Sequence, residues 1–164
     1  MKQRIRAMGM IVLTCGIMAG APAIASGPVL PIAKVTPGAI NPNVNQSNIY
    51  STICVSGFTK SIRPRSSYTH DLKVSQLSGT YSRYHDTNTR NFEEDHLISL
   101  ELGGAPYDVR NLWPEPYKNT TGARTKDRLE NRLHQLVCSG QLKLRTAQRA
   151  IATNWWAAYL KYVQ

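Results

Sequence analysis

The clearest hydrophobic pattern lies at the end of the chain. From Thr125 to Cys138, Leu129, Leu133, Leu136 and Val137 recur at helical spacing, Arg124, Arg128 and Arg132 fall on another face, and Gly140 can stop the helix. A second helix is predicted from Thr146, as N-cap, to about Tyr162, with Ala147, Ile151, Trp155 and Ala158 on one side. The Trp155-Trp156 pair there reads as core and rim packing rather than a base-stacking platform. Upstream, a short strand ends near His96, a loop passes through Gly103 and Gly104, a second short strand covers Asn111 to Trp113, and a helix begins about Thr121. The order is β, β, α.

The first half is less regular. Ser51 to Phe58 predicts a short strand or buried turn, Ser66 to Leu77 has apolar residues without a clean period, and Gly79 to Asn91 is a polar, turn-rich surface loop. Residues 26–50 carry Pro28, Pro31, Pro37 and Pro42 and predict an extended or disordered lead-in. The whole predicts an α+β fold in one domain over residues 51–164, with an irregular N-terminal portion and an added C-terminal helix.

Residues 1–25 have a different character. Lys2, Arg4 and Arg6 precede an uncharged apolar run to about Gly20, and Ala23-Ile24-Ala25 suits a signal peptidase, which predicts an exported protein, periplasmic or extracellular. A membrane anchor needs a run of about 20 apolar residues, and this one is shorter and broken by Gly16, Gly20 and Pro22. Stable membrane association after cleavage is therefore not expected. A lipidated Cys15 is the third option, with Thr14 a poor residue before it.

Cleavage would remove three of the 20 Lys and Arg and none of the 10 Asp and Glu, so the net charge would fall from +10 to +7. A surplus of that size favours polyanions or anionic surfaces, and it also suits plain solubility. Cys15 would go as well, leaving Cys54 and Cys138. In an oxidising compartment a widely spaced pair is most simply a disulfide, the alternative being two buried thiols.

The candidate chemistry is concentrated in Glu94-Asp95-His96-Leu97-Ile98-Ser99-Leu100-Glu101-Leu102-Gly103-Gly104, followed by Asn111-Leu112-Trp113-Pro114 and the basic helix. This run, extended through Pro116 and by Ala123 to Glu130, resembles the HNH, or ββα-metal, nuclease superfamily, and in particular its small secreted members. The close resemblance covers residues 90–140. It implies a ββα-metal core and an endonuclease that hydrolyses DNA, or RNA, with little sequence specificity. His96 would be the general base, since a neutral imidazole can take a proton near neutral pH. Asp95 would bind one divalent cation, Mg²⁺ before Mn²⁺, Ca²⁺ or Zn²⁺, to neutralise the phosphate. In a regular strand neighbours point opposite ways, so the chain would have to bend for Asp95 and His96 to share a site.

Asn111 corresponds to the asparagine that orients the loop and its histidine. Arg124, Lys126 and Arg128 at the helix start would contact phosphate, with a solvated face as the plain alternative. The chain departs from the family at Ala123, where a third metal-binding histidine is common; Asp127 or Asn119 could replace it. His70, His85 and His134 lack such a setting and read as surface or satisfied histidines, and no four-ligand Cys/His cluster suggests structural zinc.

Nucleic acid, DNA before RNA, is thus the expected partner, with an inhibitor or immunity protein left open. Two alternatives stand beside the nuclease: a non-catalytic nucleic-acid-binding module on the same fold, and a cell-envelope interaction protein stapled by its cysteines.

Overall fold

The computed structural model describes residues 27–117 and 120–164. The predicted signal peptide and Asn119 lie outside them.

Two short helices, α1 (Phe58–Ile62) and α2 (Ser66–Ser78), precede strands β1 (Phe92–His96) and β2 (Leu112–Pro116), and the chain ends in α3 (Ala123–Cys138) and α4 (Leu144–Tyr162). The fold is α+β, with a two-stranded antiparallel sheet in which Phe92 faces Pro116 and His96 faces Leu112. β2 keeps Pro114 and Pro116 because one of its edges is unpaired, where a missing N–H forfeits no ladder bond.

α3 and α4 pack along their predicted apolar faces. Leu129, Leu133 and Val137 of α3 and Ala147, Ile151 and Trp155 of α4 are fully buried in one cluster, while Arg124, Arg128 and Arg132 stay exposed. Full burial of a Leu or Ile side chain contributes about 1.5–3 kcal/mol, so this seam anchors the fold. α4 starts two residues before the predicted cap at Thr146, and non-helical backbone at Asn154 (φ −164°) breaks it. The Asn154 side chain accepts from Ala157 N at 2.9 Å, capping the second half. Trp155 is buried with its indole N–H donating to Val29 O, and Trp156 is half-buried.

α2 is the element without a sequence signature. Of its residues only Gln76 and Leu77 are buried, and it docks through polar ends: Gln76 Nε2 donates to Leu112 O (3.0 Å) and Lys73 Nζ to Phe92 O (2.8 Å). Ser51 to Phe58 forms turns rather than a strand.

From Gly27 onward the lead-in alternates open stretches with turns, ends in a 3-10 turn at Ile49–Ser51, and is packed. Val44 and Ile49 enter the main core, Thr36 is buried against the Tyr81 hydroxyl (2.7 Å), and residues 38–41 bind the glycine loop through Asn41 N to Gly103 O and Ala105 N to Ala39 O. The domain therefore begins upstream of residue 51. Cys54 and Cys138 form a disulfide, Cα atoms 5.7 Å apart, tying the turn after residue 51 to the end of α3. A disulfide of this kind fits an oxidising compartment. No helix among the described residues is long and apolar enough to cross a membrane.

Candidate active site

β1 stays regular through His96, so its side chains alternate. His96 and Glu94 line a cavity shared with α2, whereas Asp95 bonds Lys126 of α3. The bend that would have turned Asp95 and His96 to one side is absent. The sheet register continues to the His96–Leu112 pair, and tight turning starts only beyond it.

Asn111 closes the loop that follows. Its side chain is fully buried and makes three bonds: Oδ1 accepts from Ile98 N (2.9 Å), and Nδ2 donates to Ile98 O (3.0 Å) and Ala105 O (3.1 Å). Such closeness requires Gly104, where a Cβ would stand 1.8 Å from Ile98 O. The next carbonyl in the loop, Pro106 O, lies 3.0 Å from His96 Nε2. A carbonyl only accepts, so a neutral His96 carries its proton on Nε2 and its lone pair on Nδ1. Asn111 thus fixes the loop whose carbonyl sets the imidazole's tautomer.

The cavity, about 680 Å³, runs between β1 and the start of α2. Arg63, His70 and Lys73 bring cationic or cation-capable groups to its wall, and Asp71, Glu93 and Glu94 bring carboxyls. Burial holds the His96 pKa below its ordinary value, with the charges of Arg63 and Lys126 adding to this and Asp95 and the Pro106 carbonyl opposing it. Glu94 is pushed up to about 8 by burial and by the charge of Asp95, and among the described residues neither of its buried oxygens has a hydrogen-bond partner. At neutral pH the wall thus offers an imidazole able to accept a proton and a largely protonated carboxyl.

Behind β1 lies a second charged group. Lys126, 0% exposed, donates to Asp95 Oδ2 (2.5 Å), Glu130 Oε1 and the His96 backbone carbonyl (2.9 Å), with Glu115 Oε2 at 3.8 Å. Burial raises the Glu115 carboxyl well above its usual range and Glu130 to about 8, against the pull of Lys126. Asp95 moves the other way: burial pushes it up, but the Lys126 charge, hydrogen bonds with Glu115 and Lys126 and the neighbouring His96 together hold it below its ordinary value.

The residues expected to bind metal and phosphate are accordingly dispersed. Lys126 is sealed from solvent and offers phosphate nothing. Asp95 already holds an ammonium. Asp127 is half-buried at the edge of α3, 3.7 Å from Arg124, and Arg128 lies over the Tyr159 ring. Arg124 and Arg128 are exposed, outside the residues lining the His96 cavity. The donor set therefore does not fit an ion shared by Asp95, Asp127 and His96.

Ligand atoms of three such side chains do come within 4.8 Å of one another at Cys54, His134 and Cys138. These could hold a metal ion with both thiols reduced; in the disulfide the sulfurs are not thiolates. Arg63, which follows α1, and Lys73 of α2 line the cavity without having been expected there, since neither helix has a periodicity to place them, while His70 is exposed, as the sequence reading had it. The one available signal was the His70-Asp71 pair.

No protein-family model, curated protein or solved structure matches this chain.

Proposed function

We propose that the protein is a phosphodiester hydrolase, an endonuclease acting on DNA or RNA at the cavity between β1 and α2. The observation that carries this reading is His96, a buried imidazole whose Nε2 meets Pro106 O and whose pKa burial holds down, in the lining of a cavity shared with Arg63, His70 and Lys73. His96 Nδ1 takes the proton from an attacking water. Arg63, exposed, and Lys73, half-buried, offset the phosphate charge. Glu94, largely protonated at neutral pH, does not repel the substrate. Asn111 positions the base through the loop. The sequence resemblance to HNH nucleases supports the same roles for His96 and Asn111 and the ββα-metal description of the core. A divalent cation, Mg²⁺ first, would supply Lewis-acid charge at the phosphate, but Asp95 is engaged by Lys126 and no step is assigned to it.

The net charge of +10 favours a polyanionic partner. The engagement of Asp95 favours one alternative, a module that binds nucleic acid without cutting it. The test is incubation of disulfide-intact protein with supercoiled plasmid and single-stranded RNA, with EDTA or with Mg²⁺, Mn²⁺, Ca²⁺ or Zn²⁺. Cleavage by wild type and its loss in a folded His96→Ala variant support the hydrolase. Salt-sensitive binding with intact substrate under every condition supports the binding module.

A further inference from the structure

The group behind β1 has the composition of a hard-cation site. Three carboxyl groups and one backbone carbonyl surround the Lys126 nitrogen, and among the described residues no nitrogen or sulfur ligand takes part. All-oxygen sets of this kind suit Ca²⁺, Mg²⁺ and Mn²⁺.

Glu115 supplies an independent sign. Its side chain is 1% exposed and, among the described residues, neither oxygen is reached by an N–H or hydroxyl donor, although one lies 3.8 Å from the Lys126 nitrogen; its raised carboxyl can share a proton only with Asp95. Buried polar groups are ordinarily bonded. An ammonium has three protons, and here they go to Asp95, Glu130 and the His96 carbonyl, so none is left for the fourth oxygen. A calcium-sized ion, which takes about six to eight oxygens, would reach all four. The nest has one more oxygen than its occupant can use.

We propose that this nest is a divalent-cation site whose resident cation is Lys126. By joining Asp95 to the His96 carbonyl, Lys126 acts as a positioning residue for the base and does the work of an ion bound to Asp95. While it is in place Asp95 takes no divalent cation; with it removed, Asp95, Glu115, Glu130 and the His96 carbonyl bind one. The inference rests on the proposed function only in naming His96 the base, and its test uses no cleavage.

Mn²⁺ and Ca²⁺ are titrated by calorimetry and thermal unfolding into full-length wild type, Lys126→Ala and Lys126→Ala with Asp95→Asn. Wild type should show no ion at Asp95, and Mn²⁺ should not broaden the amide resonances of His96 and Leu97. Lys126→Ala should lose thermal stability in EDTA, bind one cation per chain, and regain about 10 °C at a hundredfold excess of cation over Kd. Adding Asp95→Asn should abolish that recovery. Mn²⁺ binding to wild type that disappears with Asp95→Asn would overturn the proposal. So would a Lys126→Ala variant that neither cation stabilises, whether it is folded or remains unfolded in both. Absence of nuclease activity beside a cation-binding Lys126→Ala would remove the hydrolase reading and leave this one intact.

Discussion

Replacing Asn111 is the sharpest test of how the site is held. Asn111→Ala removes three hydrogen bonds and leaves Ile98 N, Ile98 O and Ala105 O without those partners inside a fully buried loop. Each buried polar group left unpaired costs about 1–3 kcal/mol. The lower end applies if the loop relaxes toward water, giving a total of about 3 kcal/mol. For a domain of this size that is a fall in Tm of roughly 10 °C. Asn111→Asp is nearly the same shape and keeps the acceptor for Ile98 N. It replaces the amide donor with an oxygen facing two carbonyls, so it should cost at least as much as alanine. The exposed neighbour Arg110→Ala is the control and should change stability by under about 0.5 kcal/mol. Urea unfolding of the four proteins measures all this. A loss below about 1 kcal/mol for both Asn111 variants, or an aspartate variant clearly more stable than the alanine one, refutes the account of the loop.

Other outcomes follow from burial and charge. His96 has a native pKa below its usual value of about 6.5, so the unfolded chain binds its proton first. The stability this group contributes is present above pH about 6.5 and declines as pH falls, and the acidic limb of any cleavage profile should have its midpoint below 6.5. A midpoint above 6.5 removes His96 as the free base. Glu130 behaves in the opposite sense: its native carboxyl keeps its proton up to about 8, so stability is lost as pH rises from about 4.5 to 8. The Tm of Glu130→Gln minus that of wild type should therefore grow over that interval; a constant difference contradicts the assigned shift. Reducing the disulfide, or Cys54→Ser with Cys138→Ser, should cost about 4.5 kcal/mol for a separation of 84 residues, read by denaturant unfolding, and a loss under 1 kcal/mol would show that the staple constrains little.

What could be read from the chain was what periodicity and local chemistry encode. Leu129, Leu133 and Val137, and Ala147, Ile151 and Trp155, announce their helices because one face of each is buried against the other. The strand pair was visible through His96 and Trp113, and the loop through Gly103, Gly104 and Asn111. Two features were not visible. α2 docks with Gln76 and Lys73 reaching backbone carbonyls, an attachment that needs no apolar stripe and so leaves no pattern; the cavity wall it supplies was lost with it. Lys126 sits in a run of basic residues, and its burial is set by Asp95, Glu115 and Glu130, distant in sequence except for the last. Charge at a helix start looked like phosphate contact, when the carboxylates across the sheet had already claimed one of the three cations.

The bond from Trp155 to Val29 O joins residues near opposite ends of the described chain, and α4 fills the same core as Val44 and Ile49. A nascent chain growing from its N-terminus can therefore complete the core only once its last helix has emerged. Loop closure over such distances is slow compared with helix formation. The His96 loop is held on one side by residues 38–41 and on the other by α4 through Gln148 Nε2 to Leu102 O, so its packing waits on α4. A chain cut before α4 would hold every residue from Glu94 to Asn111 and lack the packing that holds their loop in place.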